Sequence, residues 1–399
     1  MQPGGPITLP RPSGAPESVV IGGGGIAALE CAAALAALAP DRVALTLVCP
    51  DVEFVWRPLT PHQAFDYVAR PRVALTELAD RLGATLIHDQ LGWVDRGHDQ
   101  VVTRSGDRVS YQALVLGLGA VPRPRFAPAI TIGSDTADAS LTRLLSDVRD
   151  GRASRVAFIA PERTSWPLPL YELALMTATL AAEHHREVEL TLITAEAFPV
   201  QPFGETAGAQ MSELLTGRGV HVACDAHAEM PAPGTVLIHA PAATGHWTGA
   251  LDATTATTAL TVDRVVALPE LVGPHLRGIP TAPNGFIPVD RHCRVIGTTG
   301  IYAAGDATDY PVKHGGIAAQ QAVTVAGSIA AGAGAPVVAH PFHPTLEGLL
   351  LTGSAPRYLS ARLTGGHPFG STLTIPPAQA TPAKVAAPHL TRLIEQIHR

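Results

Sequence analysis

Lysine is nearly missing from these 399 residues: Lys313 and Lys384 are the whole supply, and the other 26 of the 28 basic side chains are arginines. No Lys/Arg-rich run stands anywhere and the formal net charge is -6, so the chain has no track of cations to neutralise a phosphate backbone, which excludes nucleic-acid binding. Cysteine is equally sparse. Cys31, Cys49, Cys224 and Cys293 lie far apart, with no C-x-x-C pair and no metal-like spacing with histidine, so neither a disulfide scaffold nor a metal site is expected. A reduced, cytoplasmic setting follows as the default. Long apolar runs are missing too. The best candidate for a signal peptide or span, residues 19 to 39, holds four consecutive glycines and Glu30 and continues into a strand pattern, which argues against both.

What is present is alternating strand and helix text. A Pro/Gly-rich stretch, residues 1 to 16, reads as a disordered leader. Ser18 to Ile21 is a short apolar strand, the glycines after it make a turn, Ile26 to Leu38 make a helix, and Val43 to Val48 is a second buried strand. Tyr111 to Ala120 is an apolar strand running into a Gly-x-Gly turn. A second unit of the same kind follows. It comprises strand Val156 to Ala160, a helix from about Leu168 to Ala182, strand Val188 to Thr194, a helix from about Glu205 to Leu215, and strand Val220 to Ala223. Near Ile301 another strand leads into a turn and then a helix from about Gly316 to Ala331. The fold class is therefore α/β, with two Rossmann-like βαβ domains. The first is discontinuous, 17–125 and 281–340; the second is 126–280; 341–399 is a short C-terminal segment. That segment ends in an amphipathic stretch with Leu390, Leu393, Ile394 and Ile397 on one face, which suits docking on the core, a partner subunit or a membrane surface, docking being the simplest.

The register that best fits a dinucleotide fingerprint runs Gly23-Gly24-Gly25-Ile26-Ala27-Ala28. Gly23 permits the tight turn, Gly25 leaves room for a pyrophosphate, and the small Ala28 lets helix and strand pack closely. The helix start then presents its N-H groups and positive dipole end to phosphate. The acid usual at the end of the second strand is replaced by Cys49, and Asp51 stands two residues late to take the ribose. A second anchor lies in Ala304-Gly305-Asp306-Ala307, where a carboxylate suits ribityl hydroxyls and a backbone N-H suits an FAD phosphate. The helix that starts at His314-Gly315-Gly316-Ile317 could aim its dipole, with Lys313 alongside, at the flavin edge where negative charge develops on reduction. Lys313 has a plainer reading as a surface lysine.

Taken together, these motifs resemble the pyridine nucleotide-disulfide oxidoreductase superfamily of two-domain flavoproteins, in the branch of sulfide:quinone oxidoreductases and type II NADH dehydrogenases. The matching pieces are Val20 to Glu30, Glu53-Phe-Val-Trp-Arg-Pro-Leu59, Leu114 to Ala120, Tyr302 to Thr308, and Pro311 to Gln321. The resemblance implies bound FAD, with Arg57, Pro58, Gly119 and Ala120 among the cofactor contacts, and an FAD-dependent oxidoreductase with a small-molecule donor and acceptor.

Two departures narrow that expectation. After Val156 to Ala160 no glycine occurs in Pro161 to Glu172, so a second pyrophosphate has no open backbone to approach and NAD(P)H is disfavoured as a ligand. The cysteine that sulfide:quinone oxidoreductases carry shortly before a Pro-x-Tyr-Glu segment corresponds here to Trp166, so a persulfide mechanism is not expected. Trp166, Pro167, Pro169 and Tyr171 either wall an apolar pocket for a planar acceptor such as a quinone or pack a domain interface. Glu172 is either a proton donor or acceptor there or a first-turn helix acid. The rival functions are an NAD(P)H-dependent flavin dehydrogenase and a flavin-retaining partner of another redox protein; a homodimer and peripheral membrane contact stay open.

Overall fold

The computed structural model describes residues 15–57, 64–65, 72–134, 136–164, 166–240, 247–248, 257–364, 367–374 and 384–398. In chain order the principal elements begin with β1 (Glu17–Gly22), α1 (Ile26–Leu38), β2 (Val43–Val48), α2 (Leu75–Leu82), β3 (Thr85–Ile87) and β4 (Ala113–Leu116). Then come β5 (Ile130–Thr131), α3 (Ala137–Arg149), β6 (Arg155–Ile159), α4 (Leu168–Glu183), β7 (Glu189–Ile193), α5 (Glu205–Thr216) and β8 (Val220–Ala223). The last are β9 (Arg264–Ala267), β10 (Ile301–Ala303), α6 (Gly315–Gly332), β11 (Thr345–Leu350), β12 (Arg357–Thr364), β13 (His367–Thr374) and α7 (Pro388–Ile397).

Two parallel sheets carry the architecture. The first runs β10-β4-β1-β2-β3, so its outer strand returns from a stretch of sequence almost two hundred residues beyond its neighbour β4. The second runs β5-β9-β6-β7-β8, closed by an antiparallel edge at Trp247–Thr248. Both reverse their winding beside the first strand of the unit, at β1/β4 and β6/β9. In doubly wound sheets the crevice for a ligand opens beyond the carboxyl ends of the strands at such reversals.

The central strands of the first sheet are apolar where both faces are covered: Val19 to Ile21 of β1 and Ala113 to Leu116 of β4 are all buried. Helix α1 has no polar stripe. Its residues from Ala27 to Leu35 are buried between the sheet and α6, and the alanines there let the two helices lie close. Burying Leu29 and Leu35 completely is worth about 2 kcal/mol apiece. The second sheet is centred on β6 and β7, with α3, α4 and α5 against it.

Two features go beyond the sequence expectation, and a third follows its simplest reading. Helices α2 and α3 were not anticipated. The C-terminal segment is not merely Pro-rich: β11, β12 and β13 form an antiparallel sheet whose Leu346, Leu350 and Leu359 are buried in the same core as α4. Helix α7 turns Leu390, Leu393 and Ile394 onto α1 and α2, so that apolar face is covered by the chain's own core rather than by a membrane or partner. No helix among the described residues is long and apolar enough to cross a membrane. Residues 1–14 of the expected leader lie outside the described residues.

Candidate functional site

The glycine turn after β1 is built for close approach on both sides. Gly23 has φ +118°, and a Cβ there would sit 2.3 Å from the Gly117 carbonyl oxygen. Gly117 in turn lies on Ala28: a Cβ at Gly117 would come within 2.9 Å of the Ala28 nitrogen. The small third residue of the fingerprint is therefore required by the strand β4 turn it packs against. Gly25, by contrast, faces open space and is the N-cap of α1, with no side chain capping the helix. Its first N-H groups are left for a ligand.

The second anchor meets the first in space. Gly305 has φ +78°, and a Cβ there would press on Ala27 at 3.0 Å and on Ala318 at 3.2 Å. The Gly305 N-H is not open to phosphate as expected, because Gln321 Oε1 accepts it at 2.7 Å. Asp306, half-buried, has no hydrogen-bond partner among the described residues. Burial pushes its carboxyl above the usual range, and the charge of Lys313 pulls it back down. A buried acceptor in want of donors fits the polyhydroxyl chain of a flavin nucleotide, and the uncapped α1 start beside it fits phosphate.

Cys49 and Asp51 fill the place of the usual ribose acid differently from one another. Cys49 is buried with its thiol under Gly24, where a Cβ would stand 2.4 Å from Sγ, so it packs the turn and offers nothing to a ribose. Asp51 is exposed at the strand end and accepts from the Cys49 thiol at 3.7 Å. Gly119, at φ +70°, faces open space and Ala120 is half-buried beside it. Arg57 is exposed, and Pro58 lies outside the described residues.

The start of α6 departs from expectation. His314 caps it: its Nδ1 accepts the Gly316 N-H at 3.2 Å. Gly315 is covered by Ile26 and Val385, and Ile317 is buried in the second core. These residues therefore seat the helix more than they face a ligand. Lys313 is not a solvated surface lysine. It is buried, donates to the Thr308 carbonyl and lies 3.8 Å from the centre of the Phe286 ring. Desolvation lowers it to about 8, against the pull of Asp306 and Asp309.

The Trp166 ring lies tilted against two others, its centre 4.4 Å from that of His314 and 5.6 Å from that of Phe203. Burial lowers His314 to about 3, with the Lys384 charge adding to it, so the imidazole is neutral. Tyr171 does not line a pocket beside Trp166: it is fully buried and turns its hydroxyl to Glu196. Glu172 is also fully buried. Its Oε1 accepts from Lys384 Nζ and, at 3.0 Å, from the Leu351 N-H. Lys384 donates to the Leu349 carbonyl at 2.7 Å as well. Reading the sequence missed Lys384, although its rarity was a signal: both lysines of the chain are buried beside the motif residues.

Known proteins share parts of this sequence pattern and this fold. Residues 171–326 match the family described as pyridine nucleotide-disulphide oxidoreductase. No curated protein sequence matches the chain. Among solved structures, the chain is similar to the sulfide:quinone oxidoreductase of the hyperthermophilic bacterium Aquifex aeolicus, with a TM-score of 0.78 and 19% identity over 95% of this chain and 90% of that one. It is similar to NDH2 of Plasmodium falciparum, with a TM-score of 0.67 and 11% identity over 90% and 92%. The ferredoxin reductase for the CYP199A2 system of Rhodopseudomonas palustris follows, with a TM-score of 0.61 and 17% identity over 88% and 83%. These likenesses are of fold.

Proposed function

We propose that this chain, which matches the pyridine nucleotide-disulphide oxidoreductase family over residues 171–326, binds FAD and reduces a quinone-like acceptor, with Glu172 and Lys384 handling the proton. The residues that would hold FAD are the α1 start at Gly25, the Asp306 carboxylate and the Gly119 turn. FAD, when bound, supplies two-electron transfer between a donor and an acceptor.

The observation that carries the proposal is the Glu172–Lys384 ion pair beside His314, which Trp166 contacts. Reducing a quinone consumes protons as well as electrons, and an ion pair that holds a proton is a source for them. Lys384 Nζ holds such a proton against Glu172 Oε1, and desolvation lowers Lys384 and so favours its release. Trp166, half-buried against the neutral His314 ring, offers an uncharged aromatic face for a planar acceptor.

The donor is neither a nicotinamide nucleotide held in the usual mode nor a sulfide held by a persulfide. Between β6 and α4 the turn has no glycine, Pro169 removes one N-H from the first turn, and the Leu170 N-H is bonded to the Pro167 carbonyl at 2.9 Å. All four thiols are buried and unpaired in disulfides, and burial pushes each upward, Cys49 to about 11 and both Cys224 and Cys293 to about 12. Thiolate chemistry is suppressed at every one.

The test is reoxidation of photoreduced, FAD-loaded protein by a short-chain quinone, without air. Glu172→Gln and Lys384→Met should each slow the reaction by about 100-fold, while reoxidation by ferricyanide, which takes no proton, stays unchanged. Equal slowing with both acceptors, or none with the quinone, overturns the proposal.

A further inference from the structure

Glu196 stands three residues beyond the end of β7, as Asp51 stands beyond the end of β2. In a dinucleotide fold, an acid near this strand end takes the ribose hydroxyls of the nucleotide. Asp51 is exposed and could do so. Glu196 is already engaged from within. Tyr171 donates to its Oε2 at 2.5 Å, Thr194 donates to the same oxygen at 3.1 Å, and the Gln201 N-H reaches Oε1 at 3.0 Å.

The arrangement is held under strain. Tyr171 reaches across from the first turn of α4 with its ring fully buried, and its oxygen also accepts the Val200 N-H at 3.4 Å. Val200 sits at φ +50°, a left-handed conformation that a β-branched residue adopts only when its surroundings force it. The phenol and the carboxylate thus pin residues 196 to 203 over the strand end. Desolvation pushes Glu196 up to about 7, opposed by the Tyr171 and Thr194 bonds.

We infer that Tyr171 is a specificity-determining residue that closes the second sheet to adenine nucleotides, its hydroxyl taking on Glu196 the place of a ribose hydroxyl. This deepens the reading that the donor is not a nicotinamide nucleotide, and rests on it. It adds a second barrier, separate from the glycine-free turn, because the turn denies a phosphate and Tyr171 denies a ribose.

Adenosine, which needs the ribose contact and no phosphate cradle, is the probe. Equilibrium dialysis against the FAD-loaded protein should show no saturable binding to the wild type up to about 5 mM. Tyr171→Ala should bind adenosine at least about tenfold more tightly than that limit, and Tyr171→Ala with Glu196→Gln should lose the gain. Saturable binding by the wild type, or a folded Tyr171→Ala variant that binds no better, overturns the inference. Where Tyr171→Ala does not fold, amide hydrogen exchange on the wild type decides: exchange in residues 194 to 203 stays the same with adenosine present, and slower exchange there overturns it. None of these outcomes alters the quinone kinetics of the Glu172 and Lys384 variants, so the two proposals fail separately.

Discussion

Glu172 and Lys384 form a buried ion pair although they stand 212 residues apart, one in the opening turns of α4 and the other just before α7. The pair fastens the C-terminal segment to the second sheet, while Val385, the next residue, lies on Gly315 at the α6 start.

Removing one partner leaves the other charged and buried. Glu172→Leu and Lys384→Met should each cost about 3 kcal/mol of stability, and the double variant clearly less than the sum. Urea unfolding of the four proteins measures this. Additive losses would mean that the pair contributes no coupling.

Lys313 gives stability a pH dependence of definite sign. Its folded value of about 8 lies below the 10.5 of a free lysine, so in that interval the unfolded chain holds a proton that the folded one has released. Stability contributed by this group therefore rises from about pH 8 toward 10.5, and the penalty of burying the charge is fully present below pH 8. Lys313→Met should be the more stable protein at pH 7, with the advantage shrinking as the pH passes through that window. Melting temperatures of both proteins across it are the check.

Besides its apolar face, helix α7 is held at its start by one acid. Glu30, fully buried in α1, accepts the His389 N-H at 3.2 Å and the Leu390 N-H at 2.7 Å, the first-turn donors of α7. Glu30→Leu should cost about 2 kcal/mol and free α7 to exchange its amide protons well before the rest of the fold. Hydrogen exchange that still follows global unfolding in the variant would contradict this.

The parts of the fold legible in the sequence are those with strong local signals. α1 and β2 have the bounds read from glycine, proline and unbroken apolar runs, and the two βαβ units stand where they were expected. Helix α2 was hidden because eight residues give little periodicity, and β11 because Leu349-Leu350-Leu351 masks the alternation of a strand. In the candidate site, glycines and Asp306 stood out because close approach needs glycine and a carboxylate beside a glycine turn suits ribityl hydroxyls. The roles of Tyr171, Gln321 and Lys384 could not, since each depends on a partner far away in the chain: Glu196, Gly305 and Glu172. His314 was passed over for the glycines after it, yet it is the residue that caps α6.

The open α1 start is the proposed phosphate seat, and Gly25 isolates it. A Cβ there meets nothing within 4 Å and the backbone φ of -91° is ordinary, so Gly25→Ala should fold and unfold as the wild type does. Its methyl group, however, projects into the space left for the ligand. The measurement is the FAD content of wild-type and Gly25→Ala protein after equilibration with excess FAD and gel filtration. The wild type should retain FAD, and the variant, equally stable, should lose most of it. A wild type that retains none, or a variant that retains it as well, would contradict the account.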